Sequence, residues 1–175
     1  MSDLGRMTQP RLVIEMATEP EQLQSVRVLM KQFVAWAVSE FHPNDDQQPN
    51  VFKDIEAELN ALPGKYAGPD GALFIASLDG VVVGCLGGVP HGPTKIEASR
   101  LWVSANARGE GIGAKLVKHL MQFANTAGYK TIVLRTHKDM KPAHKIYADI
   151  GFTIGRNPVD FPDLSHFEVS MKMNL

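Results

Sequence analysis

One cysteine, Cys85, stands in 175 residues, so no disulfide can form within the chain, and an apolar core must supply the stability. A charge excess is lacking as well. Eighteen Lys and Arg oppose 19 Asp and Glu, for a net charge of −1, which denies the basic footprint that a duplex nucleic acid or an anionic membrane requires. No apolar run approaches the ~20 residues of a membrane span. The longest, Leu73 to Val89, is broken at Asp79-Gly80. The opening Met-Ser-Asp-Leu-Gly-Arg carries no apolar leader pattern, and there is no internal repeat or low-complexity tract. These absences predict a cytoplasmic chain with neither nucleic acid nor membrane as partner, in which any bound anion is held locally.

What is present is ordinary globular composition, 44% hydrophobic and 21% charged. The length suits one domain spanning residues 1–175, with 1–10 as an arm. A short strand is expected at Leu12 to Met16, then a helix from Pro20 with Leu23, Val26, Met30, Phe33, Val34 and Ala37 at helical spacing. Pro43 and a polar run end it, and a second helix is expected from Val51 to Ala61. Asp79-Gly80 between Ala72–Leu78 and Val81–Val89 predicts a hairpin, because both residues tolerate positive φ. Ile96 to Val103 alternates as a strand. Gly111 to Thr126 is a helix with Ile112, Leu116, Val117, Leu120 and Ala124 on one stripe. A strand at Thr131 to Arg135, a short helix opened by Pro142 and capped by Gly151, and a closing strand at Phe167 to Met173 complete the order β-α-α-β-β-β-α-β-α-β. The fold class is α/β, a mixed sheet flanked by helices.

Chemistry concentrates at Arg108-Gly109-Glu110-Gly111-Ile112-Gly113, which follows a strand and opens a helix. Glycines admit a ligand close to the backbone, and a helix start offers free N–H groups and the positive end of a dipole. A pyrophosphate is the natural guest. Gly109-x-Gly111-x-x-Ala114 also satisfies a dinucleotide fingerprint, but the next strand ends in Arg135-Thr136-His137 without the acidic residue that a ribose needs. A Walker A loop is excluded, since no Gly-Lys-Ser/Thr follows.

Arg108-x-x-Gly111-x-Gly113 resembles the R/Q-x-x-G-x-G/A motif of the GNAT superfamily of N-acetyltransferases. Arg100-Leu101-Trp102-Val103 resembles the strand segment before that motif. Ala143 to Phe152, with Tyr147 and Gly151-Phe152, resembles the second signature. The run 30–89 looks like a bacterial subgroup of unsettled substrate. The resemblance implies a central sheet splayed between the strands at 97–103 and 131–135, with acetyl-CoA (coenzyme A) as the acyl carrier lying in the gap. It implies that backbone N–H groups of Arg108, Gly109, Gly111, Ile112 and Gly113 hold the pyrophosphate, that Leu101 and Val103 align the pantetheine, and that the Arg108 side chain adds charge at a phosphate. The implied reaction is direct acetyl transfer to a primary amine of a small molecule or peptide. The alternative is an acyl-CoA-binding module without transfer. A homodimer through edge-strand or C-terminal contacts is the implied assembly.

Tyr147 matches the family position of the acid that protonates the leaving sulfur; otherwise it packs in the core. Glu97, 11 residues before Arg108, resembles the base of a branch that acetylates protein lysines. Alternation puts Glu97, Ser99, Leu101 and Val103 on one strand face. Otherwise Glu97 is solvated or pairs with Lys95 or Arg100. His137 and His42 are the runner-up bases. Trp36, Phe41, His42, Asp45-Asp46 and the stretch Phe161 to His166 are the candidates for the acceptor mouth, the two acids favouring a cationic amine. The histidines and the cysteine show no ligand spacing, so no metal is expected. Cys85 is expected in the core, which disfavours an acyl-enzyme.

Overall fold

The computed structural model describes residues 11–41, 52–157 and 159–175. Seven strands form one sheet: β1 (Leu12–Met16), β2 (Ala72–Leu78), β3 (Val81–Pro90), β4 (Lys95–Val103), β5 (Thr131–His137), β6 (Thr153–Gly155) and β7 (Glu168–Asn174). Their order across the sheet is β1-β2-β3-β4-β5-β7-β6. Only the β4–β5 pairing is parallel. A helix, α3 (Ile112–Ala127), makes that crossover. Two more, α1 (Pro20–Phe41) and α2 (Ile55–Asn60), lie between β1 and β2 in sequence, and α4 (Lys141–Ile150) follows β5. No described helix is long and apolar enough to cross a membrane.

The sheet separates two apolar clusters. On one face Ile112, Leu116, Val117, Leu120 and Ala124 of α3 and Tyr147 of α4 pack on Phe74, Leu86, Ile96, Ile132 and Leu134. On the other, Val26, Leu29, Met30 and Val34 of α1 and Leu59 of α2 pack on Leu73, Ile75, Cys85 and Trp102. Each fully buried Leu or Ile contributes ~1.5–3 kcal/mol, so the helix stripes suffice to fix both layers. Gly87 and Gly88 of β3 make the packing close. A Cβ at Gly87 would lie 2.3 Å from the Tyr66 ring, and one at Gly88 would lie 2.6 Å from Leu120.

The hairpin turns at Asp79 and Gly80 as expected, with φ of 50° and 82°. Three elements differ from the sequence reading. The second helix is shorter than 51–61, running only Ile55–Asn60. β5 continues past Arg135 to His137, because pairing with Glu168 carries the polar residues along the strand. β6 is additional: its three residues are all exposed, so no periodicity announced it.

The alternation expected along β4 also fails, at Arg100. The register against β3 shifts between Cys85 and Gly87, so that two β4 residues stand opposite Leu86. Arg100 takes a φ of 62°, as an extra bulge residue does. Ile96 and Ala98 face α3 before the bulge, and Leu101 and Val103 face it afterwards. Glu97 and Ser99 therefore lie on the face opposite Leu101 and Val103, not beside them.

Candidate active site

β4 and β5 touch at one end only. Their pairing covers Lys95–Thr131, Ile96–Ile132 and Glu97–Val133, and then stops. Beyond Glu97 the strands part, and the remaining stretch of β4 leads to the glycine turn. Glu97 thus stands at the closed end of a slot that opens toward Arg108.

At the open end Gly109 and Gly111 have φ of 86° and 71°, and a Cβ on either would meet nothing within 4 Å. Lys115 N–H makes the first helical bond, to the Gly111 carbonyl at 3.1 Å. The N–H groups of Ile112, Gly113 and Ala114 precede that ladder and lack an intrahelical acceptor. The cradle is therefore open, donor-rich and at the positive end of a 16-residue helix. Gly113 plays a different part: a Cβ there would lie 3.1 Å from Ile146 Cδ1, so its absence lets α4 close against α3. The Arg108 N–H points at the Ala105 carbonyl, at 3.5 Å. Its side chain turns away from α3: Nε donates to the Val103 carbonyl at 2.9 Å, and the guanidinium covers the Trp102 ring at 4.6 Å.

Tyr147 is 4% exposed and lies edge-on to Phe152 at 5.1 Å. Burial pushes its phenol above the ordinary range, so it carries its proton at physiological pH. It belongs to the α3–α4 face, whereas Glu97 belongs to the α1–α2 face. The two residues thus stand on opposite sides of the sheet in which the strands part.

Glu97 pairs with neither residue considered for it. Lys95 contacts buried Asp160 and Arg100 is held by Glu58, while the Glu97 carboxylate lies 3.5 Å from Nδ1 of His91. Nε2 of the same imidazole lies 2.8 Å from the Asp160 carbonyl. His137, at the end of β5, is stacked on Phe41 at 4.1 Å and lies 6.0 Å from Phe167. Its Nδ1 accepts the Asp139 N–H at 3.2 Å. His42, Asp45 and Asp46 fall outside the described residues. Phe161 is buried beneath Arg135 and His91, and His166 lies against Phe167 at 3.7 Å. The Cys85 thiol is buried and pushed up by burial to about 12, which denies it a thiolate.

The end of α1 bridges the slot on the face away from α3. Trp36 meets Trp102 of β4 at 5.4 Å and Phe41 at 5.5 Å, and Phe41 meets His137 of β5. The other functional group missed in the sequence is the clamp at the bulge. Glu58 of α2 bonds Arg100, Tyr66 and Lys65 together. No local pattern signals a pair 42 residues apart.

The sequence model of the acetyltransferase (GNAT) family matches residues 27–152. An uncharacterised N-acetyltransferase of Schizosaccharomyces pombe is 34% identical over 104 residues, covering 58% of this chain and 64% of that protein. N-acetylaspartate synthetase of Rattus norvegicus is 36% identical over 100 residues, covering 56% of this chain and 33% of the relative. The chain thus spans less than two-thirds of the length of either curated relative. Among solved structures, the PaiA N-acetyltransferase of Thermoplasma acidophilum in complex with coenzyme A superposes with a TM-score of 0.74 at 15% identity, covering 94% of this chain and 99% of that one. A GNAT acetyltransferase of Staphylococcus aureus gives a TM-score of 0.72 at 17% identity, with coverages of 94% and 99%. At these identities the likeness is one of fold.

Proposed function

The chain belongs to the acetyltransferase (GNAT) family, and from that premise we propose that it transfers an acetyl group from acetyl-CoA to a primary amine of a small molecule or peptide, by direct attack in a ternary complex. The observation that carries this is the slot: strands that part immediately after Glu97 and Val133 and lead to an open glycine cradle. The residues present suit the carrier. Backbone N–H groups at Gly109, Gly111, Ile112 and Gly113 surround the place for a pyrophosphate, that of Arg108 being turned to the Ala105 carbonyl instead, and the β4 backbone at Leu101 and Val103 borders the place for a pantetheine arm.

Bound there, acetyl-CoA supplies an activated thioester. The chain's own groups move the protons. Glu97 accepts a proton from the acceptor amine, directly or through water, and leaves its nitrogen lone pair free to attack the carbonyl carbon. As the C–N bond forms and the C–S bond breaks, the Tyr147 hydroxyl donates its proton to the departing sulfur. Their placement on opposite faces lets amine and thiol approach from opposite sides. The buried Cys85 thiol argues for direct attack and against an acyl-enzyme.

The same proposal includes a cytoplasmic location, a single domain and a homodimer, for which the outer edge of β1, unpaired among the described residues, is a candidate contact. The likeness of 30–89 to a bacterial subgroup is also a proposal, since both curated relatives above are eukaryotic.

Titration calorimetry with acetyl-CoA, followed by thiol release over a panel of amino acids, polyamines, aminoglycosides and lysine peptides, tests the reading. Heat on mixing together with release for at least one amine supports it. Binding with no release across the panel favours an acyl-CoA-responsive module. Absence of binding overturns both.

A further inference from the structure

We propose that the Arg108 side chain serves the acceptor and not the phosphates of the carrier, and that the acceptor is an amine that also bears a carboxylate. This deepens the transferase reading and rests on it.

The first observation is the direction of the side chain. The bulge at Arg100 places Trp102 on the α1–α2 face, and the Arg108 guanidinium lies over that indole, 4.6 Å from its centre and 5.8 Å from Trp36. The helix-start donors belong to α3, which packs on the other face. The Nε bond to the Val103 carbonyl fixes the guanidinium plane and leaves the terminal nitrogens as a planar fork, the geometry that takes a carboxylate through two parallel bonds. Among the described residues no carboxylate occupies that fork, whereas Lys65, Lys95, Arg100, Arg135 and Lys145 each hold one.

The second observation is independent. Trp102 is 9% exposed, and its Nε1–H is buried with no hydrogen-bond partner among the described residues. A buried donor left unpaired is costly, and an acceptor oxygen brought by a ligand removes that cost. The guanidinium covers the indole that carries this donor, at the end of the slot opposite Glu97. Along the aromatic bridge from Trp36 through Phe41 and His137, the next cation is Lys138, 5.5 Å over the Phe167 ring and likewise without a carboxylate among the described residues. A face so furnished suits an anionic group on an apolar or aromatic body, with the amine directed toward Glu97. The cationic acceptor expected from Asp45-Asp46 is the opposite choice.

The experiment compares matched pairs, each acid against its carboxamide: phenylalanine, aspartate, γ-aminobutyrate and a glycyl dipeptide. Initial thiol-release rates are measured for wild type, R108Q, R108K and W102F, and acetyl-CoA affinity is measured by calorimetry for each. The expected result is a wild-type kcat/KM for at least one acid ~10- to 100-fold above its amide, the range of one or two charge-assisted bonds. R108Q brings that ratio to within about twofold through acceptor KM, with acetyl-CoA affinity changed less than about threefold. R108K restores part of the ratio, and W102F lowers it. Equal use of acid and amide by wild type overturns the proposal. So does a large loss of acetyl-CoA affinity in R108Q with the ratio intact, which would return Arg108 to the phosphates. Failure of wild type to release thiol with any amine overturns the transfer reading itself, and with it the proposal. That outcome is recognised before any variant is made.

Discussion

Glu58 grips Arg100 through both carboxylate oxygens, Oε1 accepting Nε–H at 3.0 Å and Oε2 accepting a terminal N–H at 2.9 Å. The pair ties α2 to the one strained residue of β4. Arg100 must hold a φ of 62°, a conformation that costs a residue with a Cβ roughly 1–2 kcal/mol, and the fork holds it at the point where β4 changes face. Its guanidinium also lies 5.4 Å over the Phe52 ring.

This clamp makes stability depend on acid. Burial alone would raise the Glu58 carboxyl, but bonds and charge from Arg100, with Tyr66 and Lys65, outweigh it and bring the group from 4.5 down to about 2. A carboxyl lowered on folding binds its proton more readily in the unfolded chain. Its contribution, at most about 3 kcal/mol, is therefore complete above pH 4.5 and is lost as pH falls toward 2. Glu58→Gln leaves Arg100 buried without its counter-ion and should cost about 3–5 kcal/mol at neutral pH. At ~2–4 °C per kcal/mol for a domain of this size, melting should fall by roughly 6–20 °C. Denaturant titrations at pH 6 and pH 3 check both parts: the variant should lose much of the wild type's difference between the two. An unchanged melting temperature would show that the clamp contributes nothing.

Tyr147→Phe keeps the ring against Phe152 and removes one hydroxyl. If that hydroxyl protonates the departing thiolate, kcat should fall ~10²- to 10⁴-fold with acetyl-CoA affinity nearly unchanged. Because burial raises the phenol above its ordinary value of 10, the wild-type rate should show no decline from Tyr147 ionisation below pH 10. A rate within a few-fold of wild type for the variant would reduce Tyr147 to a packing residue.

Glu97→Gln should slow transfer most below the pKa of the acceptor amine, where removal of the proton limits the rate. Raising the pH should restore it, since the free amine needs no base. The measurement is a pH–rate profile of variant and wild type. Full activity of Glu97→Gln at neutral pH would move the base to His137, to His42 or to solvent.

Two glycines of the turn should fail in different ways. Gly111→Val meets no neighbour, but it forces a β-branched residue to a φ of 71°, which distorts the N–H cradle; calorimetry should show acetyl-CoA binding abolished. Gly113→Ala brings a methyl to 3.1 Å from Ile146 Cδ1, pushing on the residue beside Tyr147. Its effect should appear chiefly in kcat.

Much of this was legible locally. The Asp79-Gly80 hairpin, the α3 stripe and the glycine turn each depend on residues within a few positions, and local sequence states them directly. What escaped was set by partners distant in the chain. Period-two alternation cannot announce an extra residue, so the side of the sheet taken by Leu101 and Val103 was misjudged. Glu58 shows only as an acid on a short helix until Arg100 is folded beside it. The expected partners of Glu97 were sequence neighbours, Lys95 and Arg100, yet both answer to acids from other segments and His91 took their place. β6, three exposed residues long, acquires its identity only from β7.

The odd residue in β4 also sets a parity. A strand keeps its two sides by counting in twos, and from Arg100 onward this one is out of step with its own beginning. Deleting the extra residue would restore the even count and leave both sides as they are; straightening the strand with all nine residues kept would instead drive the Trp102 indole toward α3, and Val103 and Leu101 toward α1. Glu97, anchored by Val133, and the glycine turn, anchored by α3, could not both follow. A chain shortened by Arg100 alone should keep the layout of the slot while losing the grip of Glu58.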